Sequence, residues 1–271
     1  MAEAVTEWAM AKEATLLRSM AEYGSVAVAY SGGVDSTYLA DVAHEALGAN
    51  AHIVLADSPS IPREELAEAS ALAQARGWNF QVISTTEFEN EEYLKNDGRR
   101  CYFCKSELFA KMDAYARDHG IAALAYGEIA DDALDPTRLG SRAAREHRVV
   151  APLAEAGLGK EEIRQLSQRR GLPTWNKASF ACLSSRFPKG QRLDIQDMLK
   201  VERAEQLLKR LGFHQYRARH HGDLCRIEIE LDDFGKALEA PTRQQIVDSI
   251  KRLGYRYVVL DLAGYRTGST A

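Results

Sequence analysis

The sequence has few of the features that mark secreted, membrane-bound or fibrous proteins. Only four of its 271 residues are cysteines, too few for a disulfide scaffold in a chain of this length. In a reducing compartment, any chemistry of these thiols is therefore metal binding or sulfur chemistry. No apolar run approaches the roughly 20 residues that cross a membrane, and the charged N-terminal segment lacks the layout of a signal peptide. We expect a cytoplasmic protein without a membrane partner.

A basic excess is also absent. The net charge is −4 and the isoelectric point is near 6.0, whereas proteins that mainly bind nucleic acid usually carry a clear positive surplus. Hydrophobic residues make up 45% of the chain, enough to bury a core in one large domain or in two. These properties predict a globular protein with no nucleic-acid partner.

Short apolar segments and amphipathic helical segments alternate through the N-terminal part of the chain. Strands are predicted at residues 26–30, 53–56, 80–83, 122–126 and 149–150, and helices at residues 3–23, 37–47, 63–76, 104–119, 142–147 and 160–170, with a loop at 131–136. This alternation predicts an α/β fold with a doubly wound parallel sheet. Ligands of such sheets lie at the carboxyl ends of the strands.

The pattern changes after an irregular stretch at residues 172–190, which is predicted to be a long loop and an active-site segment. Helices follow at residues 195–211, 234–239 and 244–253, and strands at residues 215–220, 224–231 and 256–262. We therefore predict two domains, residues 1–190 and residues 191–271, of which the second is a smaller α/β domain.

The first predicted strand runs into a segment rich in glycine and hydroxyl side chains, Ser31-Gly32-Gly33-Val34-Asp35-Ser36-Thr37. Glycines allow successive backbone N–H groups to point at one anion, and the following helix presents its positive end to the same oxygens. The lysine of a Walker loop is missing. The segment predicts a phosphate-binding loop of another type, although an ordinary strand-to-helix turn is the simpler alternative.

Three of the four cysteines are candidates for chemistry. Cys101 and Cys104 form a CxxC pair before or within the first turn of a helix, which suits a redox pair, half a zinc site or half an iron–sulfur site. Cys182 lies in the irregular stretch beside hydroxyl groups, where reactivity or ligation is more plausible than a structural role. Cys225 shares a strand face with isoleucines and is expected to be buried.

Basic side chains gather in the C-terminal half. Arg217 and Arg219 are two residues apart on a predicted strand, so both could clamp one phosphate, or they could line a solvated face. The adjacent His220 and His221 point to opposite faces and make a poor metal pair. Glu205 is expected to be a surface carboxylate. The basic residues near Cys182 would suit an anionic substrate, or are ordinary loop charges: Lys177, Arg186 and Lys189.

Taken together, these motifs resemble the LarE family of ATP-dependent sulfur transferases, and the loop resembles the SGGxDS loop of N-type ATP pyrophosphatases. The resemblance covers nearly the whole chain. Its most specific segments are residues 31–37, 100–105, 142–147, 172–175, 181–186 and 216–220. Two departures are Ala178, where the family often has proline, and Leu139 between Arg138 and Gly140, where proline is also common.

The resemblance implies a PP-loop fold that activates a carboxylate of pyridinium-3,5-biscarboxylic acid mononucleotide with ATP, releasing pyrophosphate, after which sulfur displaces AMP. Asp35 would hold Mg²⁺, and Cys101, Cys104 and Cys182 would hold a [4Fe–4S] cluster, unless Cys182 gives up its own sulfur. The implied ATP-binding residues are Ala29, Ser31, Gly32, Gly33, Asp35, Ser36, Thr37, Asp57, Ser58 and Gly127. The implied substrate-binding residues are Lys105, Ser185, Arg186, Arg217, Arg219 and Glu205.

The same resemblance implies partners and an assembly. A small mononucleotide would be the substrate, sulfide or a sulfur donor would supply the sulfur, and the chain would form a homo-oligomer such as a hexamer. The C-terminal domain would bind the substrate phosphate and mediate oligomerisation. The alternatives are a tRNA-thiolating enzyme of the same superfamily, and a non-catalytic nucleotide-binding regulator in which the CxxC pair holds zinc.

Overall fold

The computed structural model describes residues 6–133, 139–178 and 181–266. The chain divides into two compact units. The first comprises Met1–Ser58, Arg63–Glu87 and Cys101–Phe180, and the second comprises Pro59–Pro62, Phe88–Arg100 and Ala181–Ala271. The second unit thus includes two short segments from the N-terminal part of the chain, and the domain boundary between residues 190 and 191 stays a prediction.

The first unit contains a four-stranded parallel sheet. Its strands are β1 (Val26–Tyr30), β2 (Ala51–Asp57), β3 (Asn79–Ser84) and β4 (Ala123–Tyr126), in the order β3-β2-β1-β4. Val28 on β1 is paired with Ile53 on one side and with Ala125 on the other. The strand predicted at residues 149–150 is reduced to a single bridge between Val150 and Ala125. Pro152, which has no N–H to donate, begins a helix immediately afterwards.

Twelve α-helices are found in the described residues. In chain order they are α1 (Glu7–Glu22), α2 (Val34–Leu47), α3 (Arg63–Ala75), α4 (Glu91–Leu94), α5 (Arg100–His119), α6 (Ala130–Ala133), α7 (Leu139–Glu146), α8 (Pro152–Glu155), α9 (Lys160–Arg169), α10 (Ile195–Arg210), α11 (Phe234–Leu238) and α12 (Ala240–Arg252). No helix in the described part of the chain is long and apolar enough to span a membrane.

Helices cover both faces of the parallel sheet. Successive strand residues point to opposite faces, and Val26 and Val28 belong to a core cluster with α1, α2, α3 and α9, whereas Ala27 belongs to a second cluster with α5 and α7. Both clusters consist of side chains with almost no exposed surface. The predicted α/β class with a parallel sheet is therefore confirmed.

Buried charges hold α1, α2 and α9 together. Glu13 on α1 accepts hydrogen bonds from Tyr38 on α2 at 3.2 Å and from Arg170, which follows α9, at 2.7 Å. Arg170 also donates to Asp41 on α2 at 3.0 Å. Burial disfavours the charged guanidinium, but these carboxylates raise the pKa of Arg170 above its ordinary value. The network fixes α2 and α9 relative to each other, and both helices contribute to the site described below.

Several predicted boundaries are wrong by less than one helical turn or by about one turn. Helix α2 begins at Val34 rather than near Thr37, and α5 begins at Arg100 rather than at Cys104, so both cysteines of the CxxC pair lie inside the helix. Asp131 and Asp132 are helical and not in a loop. Residues 134–136 of that predicted loop, and Arg138, lie outside the described residues.

The second unit contains a mixed sheet of three strands, β5 (Tyr216–His221), β6 (Leu224–Ile229) and β7 (Tyr257–Leu260), in that order. Strands β5 and β6 are antiparallel and are joined by a turn at Gly222, whose φ of 66° favours glycine. Strands β6 and β7 are parallel. Helices α10, α11 and α12 pack on this sheet around Leu208, Ile227 and Ile250.

Candidate active site

The loop between β1 and α2 is folded on itself by its own hydroxyl groups. The Ser31 backbone N–H donates to the Ser36 hydroxyl at 3.1 Å, the two serine hydroxyl oxygens are 2.9 Å apart, and the Ser36 hydroxyl also contacts the Gly33 carbonyl oxygen at 3.3 Å. Gly33 precedes α2 and contributes no side-chain cap. The first N–H groups of a helix have no partner within the helix, so this end of α2 suits an anion.

Gly32 meets two requirements that only glycine satisfies without strain. Its φ is 72°, and a Cβ atom at this position would lie 2.8 Å from the Cβ of Ala69. Gly127, after β4, is similarly close to the start of α2, because a Cβ there would lie 3.0 Å from the Ser36 backbone nitrogen. Backbone segments from β1, α2 and β4 can therefore meet at one place.

A cavity of about 210 Å³ opens at this place within the first unit. Six residues predicted to bind ATP line it: Ala29, Ser31, Gly33, Asp35, Ser36 and Gly127. Gly32 lies in the loop itself but does not line the cavity. The carboxyl ends of β1 and β4 thus open into a recess, the place where ligands of a parallel sheet bind.

Three other residues predicted to bind ATP do not line the cavity. Thr37 is fully buried behind the loop, with no hydrogen-bond partner for its hydroxyl oxygen among the described residues. Asp57 accepts a hydrogen bond from Arg63 at 2.5 Å, and the buried Ser58 donates to Glu87. These two side chains at the end of β2 are engaged by their own neighbours, and their assignment to ATP stays a prediction.

Lys105 lies in the same cavity, although its sequence motif suggested contact with the substrate. Its ammonium group is 4.7 Å from the centre of the Tyr126 ring. Gly140 on α7 makes room for it, since a Cβ there would lie 2.8–2.9 Å from the end of the lysine side chain. Lys105, Leu108 and Phe109 line the cavity from one face of α5, in agreement with their i, i+3, i+4 spacing.

Carboxylates complete the cavity wall. Glu128 accepts hydrogen bonds from the hydroxyl groups of Tyr126 and Ser141, and Asp132 lies nearby in the lining. Burial raises the pKa of Tyr126, and Glu128 adds to the effect. Glu128 follows β4 and Gly127 directly in the sequence, but the chain pattern gives no sign of the tyrosine and serine that orient its carboxylate.

Asp35, the predicted magnesium ligand, is held by a lysine from another element. The Nζ atom of Lys160, the first residue of α9, lies 2.8 Å from each carboxylate oxygen of Asp35. Sequence reasoning missed Lys160 entirely. The two residues are 125 positions apart, and a lysine at the start of an amphipathic helix carries no signal of its own.

The CxxC pair is accessible. Cys101 is exposed and Cys104 is partly exposed in the first turn of α5. Residues three apart on a helix share a face, so the two thiols could bind one metal centre. Within the described residues, no group of three or more histidine, cysteine, aspartate or glutamate side chains is arranged to hold a metal ion. The assignment of Cys101, Cys104 and Cys182 to an iron–sulfur cluster therefore stays a prediction, and Cys182 belongs to the second unit.

Cys182 precedes a short 3₁₀ turn at Leu183–Arg186 that is held by the short segments of the second unit. The Leu183 N–H donates to the Ser60 carbonyl at 2.8 Å, and the Ser184 hydroxyl is 2.8 Å from the Tyr93 hydroxyl. Arg100 donates to the Ser184 carbonyl at 2.8 Å. The irregular loop predicted from the sequence thus has a defined conformation at the cysteine.

Arg186 and Glu205 form a buried ion pair in this unit. The Arg186 Nε and Nη2 atoms donate to the two Glu205 oxygens at 2.9 and 3.0 Å, and Nη1 donates to the Cys182 carbonyl at 3.0 Å. Burial disfavours the charged guanidinium, but Glu205 outweighs it and raises the pKa of Arg186. The expectation that Glu205 lies at the surface was wrong, because the carboxylate neutralises a buried arginine that braces the cysteine loop.

Ser185 takes part in the same arrangement. Its hydroxyl accepts a hydrogen bond from Arg186 at 2.9 Å, and its carbonyl accepts one from Arg219 at 2.8 Å. The structure thus brings together four of the predicted substrate-binding residues, Ser185, Arg186, Arg219 and Glu205, as supports of the loop. Their direct contact with a substrate stays a prediction.

The two arginines of β5 differ in their surroundings. Arg219 is buried and donates to both oxygens of Glu228, at 3.0 and 2.9 Å. Arg217 donates to the Tyr216 carbonyl at 2.7 Å, and its guanidinium lies 5.0 Å from the Tyr265 ring centre. No ion pair of Arg217 with a carboxylate is found in the described residues. Burial lowers the pKa of Arg217, and the like charge of Arg186 lowers it further. Arg217 is therefore the better placed of the two to bind an anion.

The remaining candidates have structural surroundings. His220 is buried, and its Nδ1 atom is 2.9 Å from the Tyr255 hydroxyl. Burial lowers the pKa values of both His220 and His221. The prediction that Cys225 is buried is confirmed, and burial raises the pKa of its thiol to about 12.

Comparison with known proteins gives relatives along most of the chain. No protein-family model matches it. An uncharacterized protein of Synechocystis sp. is 42% identical over 241 residues, which is 89% of this chain and 90% of the relative. The pyridinium-3,5-bisthiocarboxylic acid mononucleotide synthase of Lactiplantibacillus plantarum is 36% identical over 259 residues, 95% of this chain and 92% of the relative. An uncharacterized protein of Methanocaldococcus jannaschii is 27% identical over 242 residues, 89% and 91% of the two chains.

Proposed function

The chain belongs to the LarE family, that of pyridinium-3,5-bisthiocarboxylic acid mononucleotide synthase, and from this premise we propose that it is an ATP-dependent sulfur transferase of nickel-pincer nucleotide biosynthesis. Its substrate is pyridinium-3,5-biscarboxylic acid mononucleotide or a close analogue. The observation that carries the proposal is the glycine loop, which is held by the contact between its Ser31 and Ser36 hydroxyl groups and lies at a cavity lined by Asp35 and Gly127. A structural turn would have no need of a recess beside a helix N-terminus.

In the first step, a carboxylate oxygen of the substrate attacks the α-phosphorus of ATP. The bond from that phosphorus to the oxygen bridging to the β-phosphorus breaks, and pyrophosphate leaves with the electron pair. The backbone N–H groups at the start of α2 and the Ser31 and Ser36 hydroxyls receive the pyrophosphate. Asp35 is suited to hold Mg²⁺, which prefers carboxylate and phosphate oxygens. The product is an acyl adenylate with a good leaving group.

In the second step, sulfur attacks the activated acyl carbon and AMP leaves, taking the former carboxylate oxygen with it. Two sulfur sources are compatible with the cysteines. If Cys182 is the donor, its thiolate forms a thioester, and removal of the Cα proton with cleavage of the Cβ–S bond gives the thiocarboxylate and dehydroalanine. Alternatively, Cys101, Cys104 and Cys182 would hold a [4Fe–4S] cluster, which would supply sulfide taken up from solution in place of the cysteine sulfur. The accessible, one-turn spacing of Cys101 and Cys104 supports the second source.

Arg217 is proposed to bind the phosphate of the mononucleotide. It is half-buried, and no carboxylate neutralises it within the described residues, so a phosphate dianion would compensate its charge. Arg186 and Arg219, whose charges are already met by Glu205 and Glu228, position the Cys182 loop instead. We further propose that the protein is cytoplasmic and forms a homo-oligomer through its C-terminal part.

The proposal is tested with anaerobically purified protein, Mg²⁺, ATP and the biscarboxylic acid mononucleotide. We expect pyrophosphate release that depends on the mononucleotide, and a product that carries sulfur. Iron and sulfide analysis, together with the protein mass before and after turnover, identifies the donor. Loss of about 34 Da indicates dehydroalanine, whereas four iron and four sulfide per chain with unchanged mass indicates the cluster. ATP hydrolysis at a rate that does not depend on the mononucleotide would refute the proposed substrate.

A tRNA-thiolating activity is the nearest alternative in chemistry. It would require a basic surface for the RNA backbone, whereas the chain carries a net charge of −4. Binding of unmodified tRNA at 50 and 200 mM salt distinguishes the two. Affinity in the micromolar range that persists at the higher salt would favour the alternative.

A further inference from the structure

We propose that Lys160 supplies the phosphate-binding cation that the loop itself lacks, and that it moves from Asp35 to the β- and γ-phosphates when Mg²⁺–ATP binds. The proposal deepens the function proposed above and rests on the loop binding ATP. Loops of the Walker type carry their own lysine for these phosphates. Residues 31–37 contain none.

The ammonium group of Lys160 is already at the loop. Its Nζ atom lies 2.8 Å from both carboxylate oxygens of Asp35, and Asp35 lies in the first turn of α2 and lines the cavity. The side chains of Lys160 and Asp35 are 37% and 24% exposed. The contact is therefore open to solvent, and ion pairs of this kind are weak. An anion that binds the ammonium group more strongly can therefore draw Lys160 away from Asp35 at little cost in free energy.

The backbone that carries Lys160 is fixed. Its N–H donates to Asp131 at 2.9 Å, and the preceding N–H of Gly159 donates to Glu162 at 2.9 Å. Glu162 in turn pairs with Lys12 on α1 at 2.7 Å. Because α9 is held at its first residue, only the flexible four-carbon side chain of Lys160 needs to move. Its range is limited to the surroundings of Asp35.

Magnesium and the lysine compete for the same oxygens. Asp35 would hold Mg²⁺ through a carboxylate oxygen, and an ammonium group bridging both carboxylate oxygens would then be a close like charge. An ammonium group has three donors and no acceptor, so it turns to the nearest anion. The β- and γ-phosphate oxygens are that anion, and after adenylation they are the departing pyrophosphate. AMP has neither phosphate and gains nothing from Lys160.

The test compares Lys160→Met and Lys160→Arg with the control Lys200→Met, which removes a lysine–aspartate pair of similar exposure, that of Lys200 with Asp197 on α10. Calorimetry with Mg²⁺ measures the dissociation constants of ATP, pyrophosphate and AMP. We expect Lys160→Met to raise the dissociation constants of ATP and pyrophosphate by roughly 10- to 100-fold, the contribution of a charged hydrogen bond. The dissociation constant of AMP should rise by less than about twofold. Lys160→Arg should retain most of the affinity for ATP and pyrophosphate, and Lys200→Met should retain all of it.

A second measurement, the affinity for a divalent metal ion, should change in the opposite direction to the affinity for ATP. Mn²⁺, as a spectroscopic substitute for Mg²⁺, is titrated without nucleotide and followed by electron paramagnetic resonance. Lys160→Met should bind Mn²⁺ several-fold more tightly than the unaltered protein, because Asp35 is released. A lysine that only stabilises the fold would not produce this gain. Lys160→Gln replaces Lys160→Met if the latter fails to fold by circular dichroism.

The outcomes separate the two proposals. Suppose that the unaltered protein binds ATP and releases pyrophosphate. If Lys160→Met then weakens ATP binding no more than AMP binding, or lowers the affinity for Mn²⁺, only the proposed role of Lys160 is wrong. If the unaltered protein binds neither ATP nor pyrophosphate, the proposed function fails and the role of Lys160 fails with it.

Discussion

Replacing Glu205 by glutamine tests whether the Arg186–Glu205 pair holds the cysteine loop. Glu205 accepts hydrogen bonds from the Arg186 Nε and Nη2 atoms and from the Ala218 N–H at 3.1 Å. The side chain of Arg186 has no exposed surface, and that of Glu205 is 10% exposed. Glu205→Gln keeps the shape of the residue but leaves a buried guanidinium without a counter-charge. Removing one partner of such a pair costs about 3–5 kcal/mol.

We therefore expect Glu205→Gln to lower the free energy of unfolding by about 3–5 kcal/mol, measured by urea denaturation followed by circular dichroism. The matched control is Glu91→Gln, which removes the exposed pair of Glu91 with Arg192 and should change the unfolding midpoint little. The double variant Arg186→Met with Glu205→Met should be more stable than Glu205→Gln, because it removes the unpaired charge as well.

The expected effect on Cys182 follows from the same contacts. Arg186 donates to the Cys182 carbonyl, so an arginine without its carboxylate no longer has a fixed position from which to hold the loop. Glu205→Gln should therefore speed alkylation of Cys182 by iodoacetamide, measured by peptide mass spectrometry. A loss of less than about 1 kcal/mol, with unchanged Cys182 labelling, would show that the pair neither stabilises the unit nor braces the loop.

Three further predictions concern separate parts of the structure. Gly32→Ala should reduce pyrophosphate release at least tenfold relative to Gly48→Ala, since both glycines have positive φ but only Gly32 would place its Cβ 2.8 Å from Ala69; equal rates would contradict this role of the loop. Arg217→Met should raise KM for the mononucleotide roughly 10- to 100-fold with little effect on binding of the dephosphorylated nucleoside, and a similar loss for both compounds would refute phosphate binding. Because burial lowers the pKa of His220 in the folded state, its neutral form is favoured there. Stability should be constant above the unfolded value of about 6.5 and fall as pH drops toward the folded value, and the fall should be smaller in His220→Phe; an equal fall would assign it to other groups.

Local patterns were sufficient for much of the fold. The four strands of the parallel sheet were predicted to within two residues because each is a short apolar run between polar segments. Strand β1 was predicted at Val26–Tyr30, as observed. Helix starts were less accurate where the first turn is polar. Arg100 and Cys101 carry no apolar periodicity, so the start of α5 was placed a turn too late.

The sequence by itself determined the class of fold, the glycine loop after β1 and the burial of Cys225. These depend on neighbouring residues, through strand and helix periodicity and through the φ angles that glycine allows. The family was also indicated by short motifs of consecutive residues, which a linear sequence preserves.

The tertiary structure alone decided which charged side chains are already paired with an opposite charge and which are available to bind a ligand. Whether an arginine binds a substrate or braces a loop depends on a carboxylate that lies elsewhere in the chain, as Glu205 does for Arg186 and Glu228 for Arg219. The same holds for Lys160, which reaches Asp35 only after α9 has packed against α2. Side-chain charge is a property of the sequence, but its neutralisation depends on distances set by packing, because electrostatic attraction falls with separation and is strongest where water is excluded.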